Sequence, residues 1–352
     1  FFFKQKTAYE IVDCDWSSDV CSSDLIDGSH GEGGGQILRS AITLSSIMHK
    51  PIKIENIRHN RKTPGLRPSH LSTIRLLGKI CNAKIDGLSI GSTSIFFTPG
   101  EIQETRIEEN VGTAGSISLI LQTIIPAVSL SGKKLRLSIT GGTDVPWSPT
   151  MNYTKLILGE AFSRIGIKFE MNIIKRGYYP KGGGQVDIII YPCTKLIPIS
   201  LSKRTSKKAK LVCSFSKIPK NVILNHLNLT KNFLENQGYT TQTIISEEMA
   251  LDSGASLLVY DVDSDSINGI DELFDFQNKK NFGEYSAESF ISSDLGVDVN
   301  LSDMIVTPLA LLNETSKFTV SKISKHLETN LYITSKITGC KYGVGDRKST
   351  RL

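Results

Sequence analysis

Apolar positions along this chain alternate between two periods. From Gln36 to Met48 they recur at helical steps of three and four, and Ile52–Ile57 then alternates apolar with polar, as a half-buried strand does. Pro68–Ile80 returns to helical spacing, and strands are predicted at Lys84–Ile90 and Ser94–Phe97. The same order then repeats. A helix is predicted at Ser116–Val128, a strand at Lys134–Ile139, a helix at Thr150–Ile165, and strands at Lys168–Ile174 and Gln185–Ile190. Two matching blocks of about 75 to 90 residues read as an internal duplication. A partial third block has a helix at Asp303–Leu312, a strand at Phe318–Ile323 and a helix at His326–Ser335.

The segment between the second and third blocks differs. It begins with the basic run Lys203–Lys210, read as a solvated loop rather than a nucleic-acid contact. A strand (Leu211–Phe215), a helix (Val222–Gln237) and strands at Thr240–Ile245 and Ser256–Val262 follow, with loops at Asp252–Gly254 and Asp261–Asp265. The expected fold is α/β (α+β). Tandem strand–helix units, each a sheet packed on two helices, fill residues 26–194 and 283–345 as one discontinuous large domain. A small α/β domain is inserted at 195–282.

Both ends stand apart. Residues 1–25 carry no hydrophobic period, and Asp13, Asp15, Asp19 and Asp24 break any apolar core of a secretory signal. They and residues 346–352 resemble translated sequencing-adapter DNA and are set outside the fold. The first 25 residues hold two Lys against five Asp/Glu, and the last seven hold three Lys/Arg against one Asp. The net charge of +6 for the whole chain is therefore +7 for the remainder, which suits a phosphate-rich partner. Cys81, Cys193, Cys213 and Cys340 are widely spaced without a Cys-x-x-Cys pair, which argues against a zinc site and for a reducing compartment. No apolar run reaches the ~18 residues of a membrane span, so a cytoplasmic location is expected.

Chemistry concentrates in a few stretches. His30-Gly-Glu-Gly-Gly-Gly-Gln-Ile-Leu-Arg-Ser40 sets four glycines before a helix, where backbone N–H groups and the positive dipole end can hold phosphate. The alternative is a tight turn without a ligand. Glu32, Gln36 and Arg39 add a carboxylate, an amide and a fixed cation. The run lacks the Gly-Lys-Ser/Thr of a P-loop and the third glycine of the dinucleotide fingerprint. Arg58, Arg61, Lys62, Arg67 and His70 follow the first unit's strand and suit a terminal phosphate, or simply an exposed basic loop. Arg176-Gly-Tyr-Tyr-Pro-Lys-Gly-Gly-Gly-Gln-Val186 reads as an elaborate hairpin turn. Thr140–Pro149 puts Asp144 at a strand end, to meet a metal or cap the next helix. His326 opens a helix, where an imidazole serves as a nucleophile toward phosphorus or as a cap.

Together these motifs resemble the RNA 3′-terminal phosphate cyclase family. Arg176–Val186 matches its Gly-x-x-Pro-x-Gly-Gly-Gly signature, Gly31–Ser40 its amino-terminal glycine segment, and Ser324–Asn330 its histidine segment. The resemblance covers Ile26 to Tyr342, and Thr140–Pro149 is most similar to archaeal members. It implies an ATP-dependent ligase-class enzyme of RNA processing, acting on an RNA 3′ end with Mg²⁺ or Mn²⁺. It implies His326 as the nucleophile that takes AMP, and Gln122, Asn300, Leu301, Ser302, Asp303 and Met304 as the nucleotide-binding residues. Glu32, Gln36, Arg39, Arg58 and His70 would stand near the RNA phosphate or the metal, with Glu32 or Asp144 as the metal candidates. Asn300 and Met304 depart from the tyrosine or histidine and the glutamine common in relatives. Relatives also add strand structure after Ile337, so an unpaired sheet edge is expected here. Oligomeric state, including a homodimer, stays open. A noncatalytic ribosome-assembly branch of the family is the alternative, and an enolpyruvyl transferase, also built of stacked α/β repeats, is the other.

Overall fold

The computed structural model describes residues 2–4, 25–103, 105–112, 114–277 and 282–345, with only the backbone for 2–4. The rest of both terminal segments lies outside the described residues. Phe2–Lys4 is a short strand, β1. The first repeat runs β2 (Leu25–Asp27), α1 (Gly35–Met48), β3 (Ile52–Glu55), α2 (Pro68–Ile80), β4 (Lys84–Asp86) and β5 (Ile95–Thr98). The second runs β6 (Thr105–Asn110), α3 (Ile117–Leu130), β7 (Leu135–Gly141), α4 (Met151–Tyr153), a π-helical turn (Thr154–Leu158), α5 (Gly159–Ile165), β8 (Phe169–Lys175) and β9 (Gly184–Ile190). Their sheets have the orders β2-β3-β5-β4 and β6-β7-β9-β8. In each, the first two strands are parallel and the other pairs antiparallel. The repeat read from hydrophobic spacing is thus a repeat of topology.

The third unit starts at β10 (Ser200–Leu201) and is then interrupted. The inserted segment holds β11 (Lys208–Ser216), α6 (Lys220–Asn236), β12 (Thr240–Glu247), β13 (Gly254–Val262), β14 (Ile267–Leu273) and α7 (Glu284–Ser292). Its sheet order, β12-β11-β13-β14, differs from that of the repeats. It also has its own apolar cluster around Leu211, Phe215, Ile223, Leu257 and Phe290. The third unit resumes with α8 (Val299–Met304), α9 (Val306–Leu309), β15 (Lys317–Phe318), α10 (Lys325–Thr338) and β16 (Lys341–Gly343). Its sheet is β10-β15-β1-β16, with β1 antiparallel to both neighbours. β1 sits where the fourth strand sits in the other two units. The gap expected at this sheet is therefore closed by Phe2–Lys4.

Several boundaries move for local reasons. Leu25, set with the leading segment by its sequence, opens β2 and pairs with Lys53. β3 stops at Glu55 because Asn56 is left-handed (φ 53°), and β4 stops at Asp86 before Gly87 (φ 78°). The third-unit helix begins at Val299 rather than Asp303, because Asp298 caps it by accepting from the Asn300 and Leu301 N–H groups. Ala287 and Phe290 carry α7 into the apolar cluster of the inserted segment, although α7 follows residue 282. Arg204, within the basic run, is buried against Phe290 and donates to the Tyr239 hydroxyl.

The repeats share one core. α1 packs between α3 and α10, α10 rests on α8 and α9, and α3 also meets α9. α1 is therefore buried on nearly every side, and its sequence fits: Ile37, Leu38, Ala41, Ile42 and Leu44 alternate with the small polar Ser40, Thr43, Ser45 and Ser46. A second junction ties the inserted segment to the repeats. The Arg176 guanidinium, 2 % exposed, donates to Asp144 (3.0 Å), Glu248 (2.7 Å), Asn152 (2.7 Å) and Ser214 (2.9 Å). Removing one partner of a buried pair strands the other charge. Arg176→Met is therefore expected to lower unfolding free energy by about 3–5 kcal/mol, read from urea midpoints. A loss under ~1 kcal/mol would show that this junction does not hold the two parts together.

Candidate active site

The first turns of α1 and α10 face a cleft of about 760 Å³. Glu32, Gly35, Gln36, Arg39 and Arg61 line it from the first unit, Gln122 from α3, Asn300, Asp303 and Met304 from α8, and His326 from α10. All three repeats therefore contribute. The inserted segment adds Asp271, Glu272 and Tyr285.

His326 is the second residue of α10, whose Ser324 cap accepts from the Leu327 N–H at 3.0 Å. This places the ring outside the helix barrel with its side chain about half exposed, and Nδ1 lies 2.8 Å from Glu32 Oε2. The Glu32 hydrogen bond and charge raise the imidazole above its ordinary pKa, outweighing burial. Burial pushes Glu32 up, but His326, Arg61 and Arg39 outweigh it and hold the carboxyl below its usual range. Arg61 also contacts Glu32 directly. At 2.8 Å from Nδ1, the Glu32 carboxylate favours the tautomer protonated there, and a neutral ring in that tautomer presents its Nε2 lone pair.

The glycines explain how these groups come so close. A Cβ on Gly31 would lie 2.4 Å from Thr329 Oγ1, and one on Gly35 2.6 Å from His70 Nε2. Gly31 and Gly33 also have positive φ (62° and 59°). The cluster admits the protein's own side chains to the backbone, and the N-terminus of α1 still opens on the cleft. His70 accepts the Arg67 N–H on Nδ1 (3.1 Å). Burial and the neighbouring arginines push its pKa down to about 3, so it stays neutral with Nε2–H as a donor.

A polar chain fixes the helices around this point. Gln36 Nε2 donates to Ser40 Oγ (3.4 Å), Ser40 Oγ to Asn330 Oδ1 (2.6 Å), and Asn330 Nδ2 to the Asp303 carbonyl (2.8 Å). The Asp303 side chain is buried, and burial raises its pKa to about 7 against the pull of His326 and Arg39. Burial lowers Arg39, while Asp303 and Glu32 favour its charge.

Not every residue read from sequence reaches the cleft. Leu301 and Ser302 are fully buried in the core. Arg58 turns back on its own loop, donating to the Thr63 and Gly65 carbonyls. Asp144 is buried, bound by Arg176 and accepting from Thr143 and the Met151 N–H. The Arg176–Val186 signature is the β8–β9 turn, where Gly177 and Gly184 pack so closely that a Cβ on either would collide with the other's backbone. Arg61, read in the basic loop as suiting a phosphate, lines the cleft, and Trp147 and Tyr285 line it without having been singled out as site residues. Among the described residues no group of three His, Cys, Asp or Glu is placed to hold a metal, and no helix is long and apolar enough to cross a membrane.

Residues 30–344 match the family described as RNA 3′-terminal phosphate cyclase. Similar curated proteins carry that name. One from Methanococcoides burtonii is 36 % identical over 92 % of this chain and 96 % of its own length. One from Korarchaeum cryptofilum is 36 % identical over 91 % and 94 %, and one from Pyrococcus furiosus 34 % over 93 % and 98 %. Matches of this extent, in a chain whose glycine segment and histidine meet at one cleft, place it in a single lineage: the chain belongs to the RNA 3′-terminal phosphate cyclase family.

Proposed function

We propose that this chain converts an RNA 3′-terminal phosphate into a 2′,3′-cyclic phosphate at the expense of ATP, with His326 as the nucleophile. His326 Nε2 attacks the α-phosphorus of ATP; a P–N bond forms, the α–β P–O bond breaks, and pyrophosphate leaves. An oxygen of the RNA 3′-phosphate then displaces the imidazole, giving an RNA–adenylate anhydride. The adjacent 2′-hydroxyl loses its proton and attacks the terminal phosphorus, and AMP leaves. Family membership and one observation carry this reading: an exposed imidazole whose Nδ1 is held by Glu32 beside a helix N-terminus and Arg39. The same pair argues against the noncatalytic branch, which needs no such nucleophile.

Arg39, the α1 N-terminus and the neutral His70 Nε2–H supply donors to phosphate oxygens. Gln122, Asn300, Asp303 and Met304 would contact the nucleotide. Mg²⁺ or Mn²⁺ needs only one or two carboxylates when substrate phosphates complete its shell; of the candidates Glu32 and Asp144 only Glu32 lines the cleft, and it would have to share its oxygens with Arg61 and His326. When bound, the ion would offset the negative charge of the triphosphate.

Mass spectrometry after incubation with ATP tests the first step. The parent protein is expected to gain one AMP, and His326→Ala none. An adduct that survives in His326→Ala, or none on the folded parent, would sink the mechanism. A second test follows from charge. Only neutral imidazole attacks, so the adduct-forming rate is expected to fall as pH drops through the raised pKa of His326. Glu32→Gln should move that acid limb to lower pH and reduce the plateau on the order of 10²-fold, because the ring loses its guide. An unmoved limb would show that Glu32 does not set the ionisation. The ion pair itself stabilises the fold between about pH 4.5 and 6.5. Below that its contribution fades as Glu32 protonates through its lowered pKa, and above it as His326 deprotonates through its raised one.

A further inference from the structure

Trp147 presents an anomaly. Its side chain lines the cleft, yet the residue is 97 % exposed, and its backbone is left-handed with φ 63°. A bulky residue pays for that conformation, and here no packing repays it. The loop holds the backbone at this position. Prolines flank it at 146 and 149. Asp144 is locked to Arg176, Ser148 Oγ donates to the Val145 carbonyl (2.9 Å), and the Thr150 N–H donates to Asp271 (2.6 Å). A large aromatic face is thus held open to solvent at the rim of the cleft. Tyr285, 62 % exposed, lines the same cleft.

The cleft is also divided by charge. Arg39 and Arg61, with the neutral His70 donor, mark a part suited to phosphates, whereas Asp271, accepting from the Thr150 N–H, and Glu272, accepting from the Gly283 and Ser286 N–H groups, lie by the segments that carry the two aromatic rings. Those acids repel phosphate, but an uncharged, flat ring is welcome there. We propose that Trp147 is a stacking platform for a nucleobase and so a specificity-determining residue of this site. The proposal rests on the nucleotide chemistry argued above. The base is that of ATP or that of the RNA terminus; both present the same π-face, and stacking tolerates either.

The test uses Trp16→Phe, which leaves Trp147 as the sole tryptophan. Its fluorescence is titrated with AMP and, separately, with a 3′-phosphorylated oligoribonucleotide. Quenching by AMP assigns the ATP base, and quenching by the oligonucleotide alone assigns the RNA base. Trp147→Ala should raise the KM for the assigned ligand by about tenfold or more, with kcat and Tm little changed, and Trp147→Phe should recover most of it. No quenching by either ligand, with unchanged KM values in Trp147→Ala, overturns the platform. Failure of the parent to form the AMP adduct would instead overturn the histidine mechanism, and the quenching would still report on Trp147.

Discussion

The site depends on holding the first turn of α10 against the glycine loop before α1, across 294 positions of sequence between Glu32 and His326. Hydrophobic burial presses these helices together but is non-directional and does not fix their register. The register comes from buried polar atoms that must be paired: Gln36 to Ser40, Ser40 to Asn330, and Asn330 to the backbone of Asp303. A slide of α10 by one residue would leave Asn330 and Ser40 unpaired in the core, at the cost of desolvated hydrogen-bonding groups. The polar chain therefore acts as a stop. It sets where His326 emerges and how far Glu32 stands from it.

Much of the fold was legible, and the reasons are specific. α2 was bounded correctly because Pro68 and the Ile80–Cys81 change of spacing mark it locally. The repeat was legible because its helices and strands keep their own periods. Elements were lost where the deciding group lies elsewhere in the chain. The Asp298 side chain caps α8 and also accepts from the Tyr153 hydroxyl and the Gly269 N–H, a convergence that no local window reveals. α7 was missed because Ala287 and Phe290 face an inserted core whose other side is built by β11 and α6, and β14 because Ile267 joins the shared core while Ile270 packs on the inserted one.

The site was legible as a set of residue types but not as a geometry. His326, Glu32 and Arg39 stood out by chemistry, yet nothing in their spacing says that one carboxylate meets one imidazole. The glycines announced an unusual backbone, but part of their work is to let Thr329 and His70 approach it. Arg58 and Arg61 are alike in sequence. The left-handed backbone of Arg58 and its two carbonyl partners keep it on its own loop, while Arg61 reaches Glu32.

On the proposed chemistry, the Glu32–His326 contact serves more than one state. Before reaction, it fixes the tautomer and aims Nε2, although the charge it stabilises opposes attack. Once Nε2 carries AMP, Nδ1–H still faces the carboxylate, so the guiding bond survives group transfer. The adenylated ring bears positive charge, which Glu32 stabilises while Arg39 and Arg61 counterbalance the carboxylate. Met304 works in the same sense at the nucleotide end. Gln122 Nε2 lies 3.6 Å from its sulfur, a weak acceptor that yields its donor easily to an incoming ligand. A glutamine there would hold that amide by a stronger bond. On the proposed chemistry, Met304 thereby lowers the cost of freeing Gln122 to meet a nucleotide.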